Sequence, residues 1–332
     1  VVGGITRLTH SGLSIGSWQP LVGVLPPLTD ADWAAAFAQY RATPEGRLVN
    51  AGMDLAGFQH IYGWEYAHRL VARLAGLVFA LPLLWFLWRR RIAGPLAWRL
   101  ASILALGAAQ GALGWYMVAS GLVDDPHVSP LRLAAHLGLA LLLIGLLAWT
   151  AWRLQRAAPA RPVRGAVGAW LGVAAVFAMA LTGAVVAGTR AGFAFNTFPL
   201  MNGEWIPAGS LALDPWYRNF RDNLATVQFV HRCFALVVVL VVAANLGPLF
   251  ERAAHRSRRR AAAWMAAALA LQLGLGIATL LSVVALPLAA AHQAGAVLLF
   301  IAALWNAYVQ TQAGLPFAMN SPRPRQRERG RG

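Results

Sequence analysis

The stretch LAGLVFALPLLWFLW, Leu74 to Trp88, ends an apolar run that begins near Tyr66 and stops at Arg89-Arg90-Arg91. About 20 such residues, wound as a helix, cross the hydrocarbon core of a bilayer. Windows of about 19 residues find this pattern at 66–88, 97–120, 131–152, 167–188, 225–247, 262–284 and 289–311. The whole composition agrees: 58% of the 332 residues are hydrophobic, 12% are charged, and the mean hydropathy is +0.55. Soluble domains are about 45–50% apolar and about 25% charged, so a water-soluble enzyme and a disordered chain are both excluded. The length accommodates seven or eight spans, and the expected class is an all-α integral membrane protein.

The net charge of +16 comes from arginine, since the chain has no lysine. A basic soluble protein of this kind would suggest nucleic acid, but the placement of the charges argues against that partner. Arginines crowd into Arg89 to Arg91, then Arg153 to Arg164, then Arg252 to Arg260, then the tail from Arg323 to Arg331. Most acidic residues (Asp30, Asp32, Glu45, Asp54, Asp124, Asp125, Glu204, Asp214, Asp222) fall in the alternate loops. That segregation is the positive-inside pattern, and it puts the arginine loops on the cytoplasmic or matrix side. Two long outer segments, 8–60 and 190–224, exceed what a connection needs and are expected to carry function. Residues 313–332 read as a disordered basic tail. Cys233 is the one cysteine, so no internal disulfide forms.

Four markers recur in order along the two halves. Thr6-Arg7 is echoed by Thr189-Arg190, and His68-Arg69 by His231-Arg232. Gln110 to Gly114 is echoed by Gln272 to Gly276, and His136 by His292. In the second half the Thr-Arg marker follows a full apolar helix, whereas in the first it follows five residues. The expected architecture is therefore two pseudo-twofold-related four-helix bundles, eight helices in all, the first lying largely upstream of Val1. The amino-terminal bundle is 1–152, an inner basic linker 153–165, and the carboxy-terminal bundle 166–312.

His10, His127 and His255 lie in loops, where a solvated imidazole is the default, and His60 lies just before a helix. His68, His136, His231 and His292 fall in the outer quarter of their helices, one per helix and two per half. An ionisable group inside a span points to function, because leaving it unpaired in hydrocarbon costs a few kcal/mol. Two facing imidazoles suit the axial positions of haem iron, whereas zinc more usually adds a thiolate, a carboxylate or a third histidine. Each histidine has alanine one turn on (Ala72, Ala140, Ala235, Ala296), which favours close approach of a flat macrocycle. Glu65 lies three residues before His68 and so shares its helix face. The equivalent in the second half is Gln228, which suggests proton chemistry at one site and electron transfer at the other. A simple ion pair of Glu65 with Arg69 or Arg73 is the competing reading. Arg7, Arg69, Arg190 and Arg232 either hold propionate carboxylates or snorkel to the interface. Trp64, Trp115, Tyr116, Trp205 and Trp216 form either an aromatic belt or the lining for an apolar ligand tail.

These residues resemble a known family. Thr6-Arg7-Leu8-Thr9 with Ser11-Gly12-Leu13-Ser14, the run Trp64 to Arg69, Asn196 to Met201, Ala225 to Arg232, and Leu286-Pro287 leading to His292-Gln293-Ala294-Gly295 are together similar to haem A synthase. The resemblance covers nearly the whole chain. It implies an oxidoreductase that converts the C8 methyl of haem O to the formyl of haem A by successive hydroxylations, for insertion into cytochrome oxidase. It also implies that His68 and His136 hold the substrate haem, that His231 and His292 hold haem b, and that Glu65 is the catalytic carboxylate. One branch of the family carries a cysteine pair in the first outer loop; this chain lacks it and resembles the mitochondrial and proteobacterial branch. The implied partners are haem O synthase, cytochrome oxidase assembly factors, the lipid bilayer and an electron acceptor of unassigned class, with homo-oligomerisation left open. The implied location is a bacterial inner membrane, or alternatively the mitochondrial one. A dihaem b-type cytochrome that only carries electrons is the alternative, but it leaves Glu65 without a role. A prenyltransferase or transporter is disfavoured, since Asp124-Asp125 is a lone acidic pair where diphosphate chemistry needs aspartate-rich helix ends.

Overall fold

The computed structural model describes residues 1–18, 25–123, 126–155, 166–251 and 255–311. Among them the elements are α1 (Val2–Leu8), α2 (Asp30–Arg41), α3 (Pro44–Leu48), α4 (Leu55–Trp88), α5 (Gly94–Ala119), α6 (Pro130–Leu154), α7 (Ala166–Thr189), α8 (Asn219–Asp222), α9 (Leu224–Ala244), α10 (Arg256–Leu281) and α11 (Leu286–Thr311). Seven of these helices, α4 to α7 and α9 to α11, are long and apolar enough to cross a membrane. Each contains most of one apolar run. Their starts have local causes. The Asp54 carboxylate accepts from Gly57 N–H and the Asn223 amide oxygen from Thr226 N–H, while Pro95 and Pro130 occupy first-turn positions that need no N–H.

The packing repeats between halves. α1 lies on α4 as α7 lies on α9, and α5 pairs with α6 as α10 pairs with α11. Across the middle, α6 packs on α7 and α11 packs on α1. The main core joins α6, α7, α9, α10 and α11 through Leu141, Val173, Val176, Val242, Met265, Leu299 and Phe300. By contrast, Val71, Leu74, Val78 and Leu81 of α4 are exposed, as is Trp98 of α5. In a membrane that surface faces lipid, and the helices are held by close packing and hydrogen bonds more than by a hydrophobic drive. Gly188 of α7 sits so near α6 that an added Cβ would lie 2.7 Å from the Pro130 Cα. One helix turn from the opposite end, Asn245 donates to the Gly168 carbonyl at 3.0 Å and ties α9 to α7.

Several expected boundaries move. The segment 8–60 is not a continuous loop, since it contains α2, α3 and the first turns of α4. α4 begins at Leu55 and runs 34 residues, about 51 Å at 1.5 Å per residue. That exceeds the hydrocarbon core, so its first turns project outside. His60 is thus a helix residue rather than one preceding a helix, and His68 lies well past the outer quarter of α4. α10 begins at Arg256, which places Arg256, Arg258, Arg259 and Arg260 in its first turns and not in a loop. Asp124-Asp125, most of the linker 153–165, Arg252 and the tail lie outside the described residues.

Candidate functional site

The chain leaving α1 turns back over the outer half of α4. Thr6 donates its hydroxyl to the Trp64 carbonyl at 3.2 Å, and Thr9 and Ser11 share a 2.7 Å hydrogen bond that shapes the turn. This strap delivers two donors to Glu65, which is 3% exposed. Ser14 Oγ lies 2.7 Å and Ile15 N 2.8 Å from Glu65 Oε2. Arg69, one turn down α4, approaches the other oxygen, with Nε at 3.1 Å and Nη2 at 2.7 Å from Oε1. The remaining Arg69 donors reach the carbonyls of Ile15 at 2.6 Å and Ser17 at 2.9 Å. The ion pair foreseen as the competing reading of Glu65 therefore exists. It is one part of a buried four-donor socket.

The second half repeats the strap over a helix but not the four-donor socket. A strap after α7 lies over α9, and Gln228 donates to the Phe195 carbonyl at 3.1 Å. Arg232 donates to Phe195 O and Thr197 O, both at 2.9 Å. The Gln228 Oε1 is buried and has no partner. Arg69 and Arg232 thus clamp their own straps through strap carbonyls, and the buried Arg232 Nε is left without a partner. Arg7 and Arg190 differ. They end the two repeated helices and stand close enough for their like charges to interact. Arg190 Nη2 lies 3.4 Å from His10 Nδ1. His10 is therefore not merely a solvated loop imidazole.

The four intramembrane histidines come together as two pairs, His68 with His136 and His231 with His292, each close enough to interact. Every ring lies against a glycine. A Cβ added at Gly3, Gly114, Gly183 or Gly276 would lie 2.8, 2.9, 3.2 and 2.9 Å from Cε1 of His68, His136, His231 and His292 respectively. Glutamine pins the second histidine of each pair. Gln110 Nε2 donates to the His136 carbonyl at 3.0 Å, and the Gln272 backbone hydrogen-bonds the His292 imidazole. Thr182 Oγ1 is 2.8 Å from His231 Nδ1. Nδ1 of His136 and of His292 is buried without a partner.

Such orphaned nitrogens are costly in hydrocarbon and mark places where a ligand completes the set. Two imidazoles per half fit haem, because the porphyrin fills the other four iron positions. Among the described residues no group of three or more His, Cys, Asp or Glu side chains gathers to hold a bare ion. Of the aromatics, Trp115, Tyr116, Trp205 and Trp216 are all exposed; Trp115 stacks on Trp18 at 5.4 Å, Tyr116 lies under Arg132 at 3.7 Å and Trp216 meets Phe220 edge-on at 6.0 Å.

Sequence reasoning passed over Ser14, Ile15 N–H, Thr182, Gln110 and Gln272 as functional groups. Ser14 stands inside the quoted motif, and both glutamines serve as repeat markers. That recurrence beside the histidines was the available signal.

Comparison with known proteins agrees with this geometry. Residues 1–304 match the COX15-CtaA family, described as cytochrome oxidase assembly protein. A heme A synthase of Nitrosospira multiformis is 50% identical over 315 residues, covering 92% of this chain and 87% of the relative. One from Nitrosomonas eutropha is 47% identical over 311 residues, with 92% and 87% covered. One from Rhodopseudomonas palustris (strain BisA53) is 46% identical over 326 residues, with 95% and 90% covered. On this similarity, and with seven long apolar helices among the described residues, four of which carry the paired histidines, the chain belongs to the haem A synthase family of cytochrome oxidase assembly proteins.

Proposed function

We propose that the protein oxidises the C8 methyl of haem O to the formyl of haem A, acting as an oxidoreductase of a bacterial inner membrane. The observation that carries this reading is the difference between Glu65, which accepts from four donors, and Gln228 at the equivalent place under the second strap, which donates to the Phe195 carbonyl and accepts from none. A carboxylate accepts a proton and a carboxamide does not, so chemistry belongs to the half with Glu65. His68 and His136 hold the substrate haem there, and His231 and His292 hold haem b in the other half. Haem b, when bound, supplies one-electron chemistry. Arg7 and Arg190 take propionate carboxylates, which relieves the repulsion between two unneutralised guanidinium groups.

Converting a methyl to a formyl removes four electrons, which an external electron acceptor takes up, and, with water as the formal oxygen source, releases four protons: R–CH₃ + H₂O → R–CHO + 4H⁺ + 4e⁻. Glu65 is the group placed to take protons. All four of its lone-pair directions are occupied, so one donor must release before it can act as base. Ser14 can do so, because its hydroxyl also lies 2.9 Å from the Ser11 carbonyl. Rotation toward Ser11 opens Oε2, while Arg69 and Ile15 N–H keep the carboxyl in place.

Haem O synthase would supply the substrate and oxidase assembly factors would take the product. The arginine-rich segments, Arg89 to Arg91 and Arg256 to Arg260, face the cytoplasm on this reading, and the Glu65 socket faces out. The test is mass spectrometry of haems extracted from the full-length protein, purified from a host that makes haem O. Haem b together with haem O, haem A or a hydroxylated intermediate is expected. Haem b alone would favour a dihaem cytochrome and overturn the reading.

A further inference from the structure

Glu45 is a buried carboxyl that the mechanism above leaves unused. It sits in α3, outside the membrane spans, and is 5% exposed. Tyr40 donates its hydroxyl to Glu45 Oε2 at 3.4 Å, and Asn50 Nδ2 donates to Tyr40 Oη at 2.6 Å. Tyr40 in turn stacks on Phe58 of α4 at 5.2 Å, in a cluster that includes Ile61, one turn before Glu65. The outer cap therefore sets Glu45 over the Glu65 end of α4, near enough for the two carboxyls and Arg190 to interact. The charged or titratable groups facing it are Tyr40 of α2, Glu65 of α4 and Arg190 at the end of α7.

A buried carboxyl with no cationic hydrogen-bond partner is costly to keep as an anion, and protonation removes that cost. Burial first, and then the charge of Glu65, push Glu45 up to about 7, against the Tyr40 hydrogen bond and Arg190. Glu65 is held differently, by four donors, and a proton arriving there displaces one of them. We propose that Glu45 is the second carboxylate of the reaction, receiving the protons that Glu65 takes from the substrate and releasing them at the outer face. In each transfer an O–H bond on Glu65 breaks and one on Glu45 forms. No electrons move, and Glu65 returns to the anion that Arg69, Ser14 and Ile15 hold. This inference rests on Glu65 being the base of the oxidation.

The test measures haem A formed per bound haem O, from about pH 5 to about pH 9, in the full-length protein purified with its haems. The native protein should lose turnover as pH falls through about 7, because Glu45 must be unprotonated to receive. Glu45→Gln should keep both haems, turn over about 100-fold more slowly and lose that acid limb. Glu45→Asp should recover part of the rate. Tyr40→Phe removes a donor to the carboxylate while leaving Glu45 in place, so the limb should move to higher pH. Full turnover with an unchanged limb in Glu45→Gln overturns the proposal. If that variant loses haem, an unchanged limb in Tyr40→Phe does the same. Absence of haem A from the native protein, or full haem A from Glu65→Gln, would instead sink the underlying reading and this one with it.

Discussion

Arg69 Nη2 lies 2.7 Å from Glu65 Oε1 and 2.6 Å from the Ile15 carbonyl, so one guanidinium joins the carboxylate to the strap that covers it. The carboxylate is thereby fixed on the face of α4 that also carries His68. Glu65→Gln keeps the shape and the contact with Arg69 but removes the proton acceptor. Haem content should stay near native while haem A output falls about 100-fold or more, with haem O or its alcohol accumulating. Chromatography of extracted haems checks this, and native output from the variant would remove Glu65 from the mechanism.

The glycines beneath the imidazoles make the two sites separable. Gly276→Val places a branched side chain where even a Cβ would lie 2.9 Å from His292 Cε1, so the ring must swing away. The expected result is loss of haem b with haem O retained. Gly114→Val, against His136, should do the reverse. Low-spin bis-histidine signals in electron paramagnetic resonance, together with the haem inventory, distinguish the outcomes. Loss of both haems from either variant would show that the bundles do not bind independently.

Direct removal of ligands gives a second view of the same division. His231→Ala should lose haem b, and His68→Ala should keep haem b while binding haem O weakly or not at all. Both substitutions also leave a void in hydrocarbon, so folding is monitored by size-exclusion chromatography in detergent. Retention of haem b by His231→Ala would reassign its axial ligands.

Glu45 makes the outer cap sensitive to pH independently of turnover. Its folded pKa of about 7 lies above the ordinary carboxyl value of 4.5. The unfolded chain therefore loses this proton first. Stability from this group is full below about pH 4.5 and is lost as pH rises through about 7. The size is about 3 kcal/mol at most, from about 1.36 kcal/mol per pKa unit. Protection factors of the α2 and α3 amides, with the intrinsic rise of exchange with pH divided out, should be larger at pH 5 than at pH 8 in the native protein. Glu45→Gln should flatten that difference, and an unaltered difference would assign it to another group.

Hydropathy, the alternation of arginine and acid along the loops, and the recurrence of four markers were enough to predict the spans and the paired histidines. These features are one-dimensional. A bilayer imposes a length on every apolar helix and excludes charge from it, and a duplicated unit writes the same residues twice in order. The Glu65 and Gln228 difference was visible for the same reason, since a repeat turns one substitution into a comparison.

What the sequence could not supply was where the outer segments lie. That Ser14 and Ile15 reach Glu65, some 50 positions away in sequence, depends on α1 packing on α4 and on a turn closed by Thr9 and Ser11. That Arg69 and Arg232 hold straps, while Arg7 and Arg190 meet, depends on which way each helix is rotated about its axis. Hydropathy leaves that rotation open, because lipid and neighbouring helices are alike apolar. Glu45 reads in the sequence as one more outer-loop acid. Only the folding of α2 and α3 onto the projecting end of α4 buries it, and burial is what changes its chemistry.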